Sequence, residues 1–181
     1  MSVSIENVQQ GRLSGLFSNF KIHTIRVIRK VNLQHMLYFT ALLTFGIGDG
    51  LTGAHMMGKL GTSMELNPVA RQIFVTYGFW AVLAAKILLT MIIIFAIYFI
   101  QVKLHKNTYW TVNGLLIALT AGGMMAMNAN LAVITGAVPQ SSSEIIFLYL
   151  SMVLILPEFG SIVDKWTDIR EIRQDRGVLV A

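Results

Sequence analysis

Long runs of apolar residues alternate along the chain with short polar segments. Roughly 20 consecutive apolar residues are needed to cross the hydrocarbon core of a bilayer. Four runs reach that length, at about 36–57, 79–102, 109–135 and 145–163. The second is the most uniformly apolar, and the third is rich in Gly and Ala. Tyr38, Tyr77, Trp80, Tyr109, Trp110, Tyr149 and Trp166 fall near the run ends, where amphipathic rings sit at headgroup level. The pattern predicts an all-α integral membrane four-helix bundle.

The flanks read differently. Leu13, Leu16, Phe17, Phe20, Val27, Ile28 and Val31 recur at helical spacing, with Arg12, Asn19, Arg26, Arg29 and Lys30 largely opposite. That is the signature of an amphipathic helix lying on an anionic lipid surface. An irregular segment carrying topogenic charge, or a docking surface for a partner subunit, are its alternatives. The C-terminal stretch Asp164–Arg176 alternates in sign, as a solvated helical extension does. The expected organisation is an amphipathic segment (1–32), a four-span bundle (33–164) and a charged tail (165–181).

Charge orients the bundle. Arg12, Lys21, Arg26, Arg29 and Lys30 precede the first span, Lys103 and Lys106 follow the second, and Lys165, Arg170, Arg173 and Arg176 follow the fourth. Lys59 and Arg71 lie on the opposite side, and Lys86 lies inside a span. The excess of basic residues marks the cytoplasmic face, so both termini are expected to be cytoplasmic in a multi-pass plasma-membrane protein. The net charge of +5 then follows from topology and gives no support to nucleic-acid binding. Composition agrees, with 55% hydrophobic and only 13% charged residues and a mean hydropathy of +0.65. The lack of cysteine excludes thiolate metal sites and cysteine nucleophiles.

Ionisable groups inside spans are costly, and so mark structure or function. At about 1.5 Å per residue, Asp49 lies roughly 12 Å below the outer end of the first span. Lys86 and Asn128 arrive about 10 Å below the same surface from the second and third spans. An Asp49–Lys86 ion pair is expected, with Thr52 on the face of Asp49; the alternative is a Lys86 that snorkels outward. Glu158, beside Pro157 in the fourth span, would meet water, an inner-loop cation or a partner. Small residues recur every fourth position at Gly46, Gly50 and Ala54 and at Gly114, Ala118, Gly122 and Ala126. They predict a close contact between the first and third spans, or with another subunit.

Between the first two spans, Asn67-Pro68 signals a helix start, with Glu65 just before it. A short helix over 68–77 is expected on the outer surface, unless it merges with the second span. Asp49-x-x-Thr52, then Glu65-Leu66-Asn67-Pro68, then Lys86 in an apolar helix, resembles an uncharacterised prokaryotic family of small polytopic membrane proteins. The family is known only as a domain of unknown function, and the likeness spans about residues 36–105. The resemblance implies that Asp49, Glu65, Asn67 and Lys86 form one polar constellation, and it carries no activity over.

Six methionines, Met56, Met57, Met64, Met124, Met125 and Met127, lie toward the outer side with His55. Thioethers and imidazole suit copper(I), yet methionine is also an adaptable packing residue, and packing is favoured. No cofactor is expected. No nucleophile elbow, phosphate loop or zinc motif occurs. The preferred function is a non-catalytic membrane subunit or assembly factor of a larger complex, with lipid and other membrane subunits, or further copies of itself, as partners. The alternatives are a small oligomeric transporter or ion-translocating protein using the Asp49–Lys86 pair, and a copper-handling accessory of a membrane enzyme.

Overall fold

The computed structural model describes residues 33–103 and 108–178, with side chains described through Arg170. The amphipathic segment 1–32, Lys106, and the side chains of Arg173 and Arg176 lie outside the described residues. By its contacts the chain divides into units 1–36 and 37–181. The described part of the first unit is the opening turn of one helix, and the packing below concerns the second.

The described residues are helices joined by short connections, with no strand among them. Three helices are long and apolar enough to cross a membrane: Phe79–Lys103, Tyr109–Thr135 and Ser142–Arg170. They make this a helical membrane protein. The predicted first span is more complex. Helix α1 (Leu33–Ala41) passes into a π-helical segment (Leu42–Gly48) and then into α2 (Asp49–Leu60). The Asp49 N–H donates to the carbonyl of Thr44, five residues back, and to that of Gly46. This widened hydrogen-bond pattern is rare and tends to occur at functional positions. Apolar run length carries no trace of it.

After a 3₁₀ turn (Thr62–Met64), helix α3 covers Pro68–Tyr77. Asn67 caps it, its Oδ1 accepting from the N–H groups of Val69 and Ala70 at 3.0 and 3.4 Å, and Pro68 needs no partner for a donor it lacks. Gly78 adopts φ 81°, a conformation most residues avoid. It separates α3 from α4 (Phe79–Lys103), so the two do not merge. Ile73 and Phe74 pack with Ala54, Met57, Val82 and Phe79. Helix α3 therefore lies against α2 and the start of α4, with Asn67 level with Lys86 in one groove. The short helix exists as expected, but it is folded back along α4.

Helix α5 (Tyr109–Thr135) and helix α6 (Ser142–Val178) complete the unit. Pro157 lies inside α6, which runs through it without interruption. The first and third segments pack against each other as expected, but several stripe glycines also meet other helices. A Cβ at Gly114 would lie 2.5 Å from the Leu156 carbonyl oxygen, and one at Gly122 2.4 Å from the Tyr149 ring, so the α5 stripe meets α6. Gly46 and Gly50 instead face Thr90 and Lys86 of α4. The first and third segments meet where Gly123 abuts the Phe45 backbone. A spacing of four makes a helix approachable on one face, but it does not select which neighbour comes close.

The larger apolar cluster joins Ala41, Ile97, Val112, Leu116 and Leu119. Helix α4 buries only Val82, Thr90 and Ile97, and its remaining apolar surface suits lipid.

Candidate functional site

The close approach of α2 to α4 creates the polar centre. A Cβ on Gly50 would stand only 3.0 Å from Lys86 Cβ. Glycine there lets the two backbones come near enough for the neighbouring Asp49 to meet Lys86. Lys86 Nζ donates to Asp49 Oδ2 at 2.5 Å, the one ion pair among the described residues. The second oxygen is also used: Asn130 Nδ2 donates to Asp49 Oδ1 at 3.1 Å and is 3.1 Å from Thr52 Oγ1. Thr52 in turn donates to the Gly48 carbonyl at 2.8 Å. Asp49 is 7% exposed, so its charge is desolvated and depends on this cation and amide.

Glu65 approaches from the connection. Its Oε1 accepts from the Asn67 N–H at 2.8 Å, and its backbone carbonyl accepts from Arg71 Nε and Nη2 at 3.2 and 2.5 Å. A Cβ at Gly53 would have Asn130 Nδ2 at 3.5 Å and Glu65 Oε2 at 3.7 Å. The amide and the second carboxylate oxygen therefore share the space above Gly53. Asn67, exposed and engaged in capping α3, lines with Lys86 an apolar groove of about 220 Å³ between α3 and α4.

Asp49, Thr52 and Lys86 thus share one hydrogen-bonded centre with Asn130. Glu65 borders it above Gly53, while Asn67 caps α3 and lines a groove with Lys86. Asn128 and Glu158 lie outside the centre. Asn128 is exposed on α5, and Asn130 occupies the place expected of it. Two residues advance a helix by about 200°, which carries position 128 to the far face. Glu158 is exposed on α6. The copper candidates differ in exposure: Met56 and Met57 are buried, Met57 in an apolar cluster, while Met64 and Met124 are 49% and 57% exposed. His55 is exposed, and Met125 and Met127 are half-buried, with Met127 sulfur against Gly48. Among the described residues no group of three His, Asp or Glu side chains could hold a metal ion.

Three residues escaped sequence reasoning. Arg71 clamps the Glu65 carbonyl, and a cation six residues after Glu65 was the available sign. Asn130 was findable only by fixing the rotation of α5 to within one face. Asp164 belongs to a stretch whose alternating charges predict a solvated helix, yet it is 3% exposed. Its Oδ1 accepts from the Trp110 N–H and its Oδ2 from the Thr111 N–H, both at 2.9 Å, and Oδ2 also accepts from Thr111 Oγ1 at 2.7 Å. Thr108, at the N-cap of α5, makes no side-chain capping bond. The cap comes from α6, delivered where Gly160 meets the Trp110 backbone.

The fold and the centre together define a helical membrane protein with an ion pair shared between its first helical segment and its most apolar helix. The model of a family described as a domain of unknown function, DUF5658, matches residues 40–136, more than half of the chain. The chain belongs to that family. The matched region holds the whole Asp49–Lys86–Asn130 centre and stops before α6. No curated protein and no solved structure matches the chain.

Proposed function

We propose that the chain is a non-catalytic integral membrane subunit or assembly factor of a larger membrane complex. In this reading it has four spans, the helical run Leu33–Leu60 being the additional one, and both termini are cytoplasmic in the plasma membrane. The observation that carries the proposal is the closure of the polar centre. Both Asp49 oxygens are engaged, by Lys86 and by Asn130, so the groups answer one another and present no activated nucleophile or paired base to a substrate. Such a centre fixes how three helices pack. The apolar exteriors of α4 and α6 leave ample surface for other subunits. Solubilisation in mild detergent should yield the chain together with other polypeptides at fixed stoichiometry. Recovery of a lone monomer would overturn the proposal.

One observation favours a second reading, a small oligomeric transporter or ion-translocating protein. Lys86 of the ion pair lines the groove between α3 and α4, so one member of the pair borders open space. Ion flux into proteoliposomes that disappears in Asp49→Asn would support this reading over the first. The copper-accessory reading has no comparable observation behind it.

A further inference from the structure

Helix α6 carries a carboxylate on its bare face. Glu158 is exposed between Leu154, Ile155, Phe159 and Ile162, which are 50–69% exposed. It has no ion-pair or hydrogen-bond partner among the described residues. A carboxylate facing lipid within a span is costly unless it reaches water or a partner. Its own geometry works against the first escape. Side chains lean toward the N-terminus of their helix, and on α6 that direction leads from the Asp164 end toward the middle of the span.

A matching cation sits on a different helix. Lys103 ends α4 and is exposed. Its ammonium turns back into the span, 5.6 Å from the centre of the Phe99 ring. The two charges stand at one height. Ile97 clusters with Val112 and Leu116, and Gly114, between them on α5, meets Leu156 and Pro157 of α6. The ring of Phe99 is therefore close to the level of Glu158. Within one chain the two residues form no ion pair, since α6 packs mainly on α5 while α4 packs mainly on the first helical segment.

We propose that Glu158 of one copy pairs with Lys103 of a second copy, the bare face of α6 meeting the face of α4 that presents the stacked, exposed rings of Phe95 and Phe99. Each charge would then be neutralised at its own depth by a group that the other face already presents there. The contact joins two different faces, so it either repeats heterologously around a ring or occurs twice in an isologous two-fold dimer. This self-association does not depend on the assembly role above; it would hold equally for a transporter.

The chain has no cysteine, so introduced thiols are unique. Full-length Phe99→Cys copies and differently tagged Phe159→Cys copies are reconstituted together in phosphatidylcholine–phosphatidylglycerol vesicles and oxidised. The expected result is a mixed disulfide dimer at least tenfold more abundant than either like pair. Adding Glu158→Lys to one partner should cut that yield about tenfold, and Lys103→Glu on the other should restore it. Should the charge-reversal chains fail to insert, Glu158→Gln in the Phe159→Cys copy must lower the yield severalfold. Mixed dimers no more abundant than like pairs would overturn the proposal, as would a yield indifferent to Glu158. Absence of co-purifying polypeptides, by contrast, would remove the assembly role and leave this result standing.

Discussion

Two aspartates are almost completely buried, and they are satisfied in opposite ways. Asp49, 7% exposed, answers to a cation on α4 and an amide on α5. Asp164, 3% exposed, answers to the first backbone N–H groups of α5 and one hydroxyl. The first arrangement makes two charges mutually dependent, because removing either strands the other. The second uses donors that a helix N-terminus offers in any case, together with the positive end of its dipole. Asp49 thus gathers three separate stretches of chain, whereas Asp164 staples one helix onto its neighbour. Loss of a partner should therefore be severe at the first site and moderate at the second.

The largest expected effect is at Lys86. Lys86→Met leaves the Asp49 carboxylate buried beside an apolar side chain and should destabilise the fold by about 3–5 kcal/mol. Adding Asp49→Leu removes the stranded charge and should recover more than half of that loss. Denaturant unfolding in mixed micelles measures both. A single-variant cost no greater than that of losing the α5 cap would erase the distinction between the two aspartates.

Asp164→Ala comes next, at about 1–2 kcal/mol, the usual cost of a lost N-cap. The freed N–H groups lie at a helix end where solvent can reach them once the carboxylate is gone, which limits the penalty. Asp164→Asn keeps an acceptor and should cost less than the alanine variant. Amide hydrogen exchange at Trp110 and Thr111 should accelerate in Asp164→Ala and much less in Asp164→Asn. Equal acceleration in both would show that the charge, rather than the acceptor, holds the junction.

The two sites also differ in how far they could be read from the chain. Asp49 and Lys86 stand out because ionisable groups inside apolar runs are expensive, and rise per residue alone placed them at one height. The same arithmetic put Asn128 beside them, since depth is insensitive to rotation and a slip of two residues turns a helix face around. Asp164 lies among alternating charges at the end of a run, where exposed and buried carboxylates have the same local pattern. Its burial is created by Gly160 against Trp110, a contact between residues 50 apart in sequence. The three long apolar helices were plain from run length, because the bilayer imposes that length. The π-helical segment was not, since it depends on which carbonyl the Asp49 N–H reaches rather than on which residues are apolar.

The smallest expected effects separate two asparagines on one helix. Asn130 donates to both Asp49 and Thr52, so Asn130→Ala should cost about 0.6–1.7 kcal/mol, from the average to the largest value measured for hydrogen bonds between membrane helices. Asn128 is exposed two residues away, and Asn128→Ala should stay within about 0.5 kcal/mol, as surface substitutions do. Coupling sharpens the contrast. Once Lys86→Met has stranded the carboxylate, Asn130 is its remaining side-chain donor, so the cost of Asn130→Ala should grow in that background while that of Asn128→Ala should not change. A double-mutant cycle with an interaction energy near zero for Asn130 would mean that Lys86 alone sustains Asp49. The network would then reduce to a single ion pair, and the difference from the backbone-capped Asp164 would rest on charge alone.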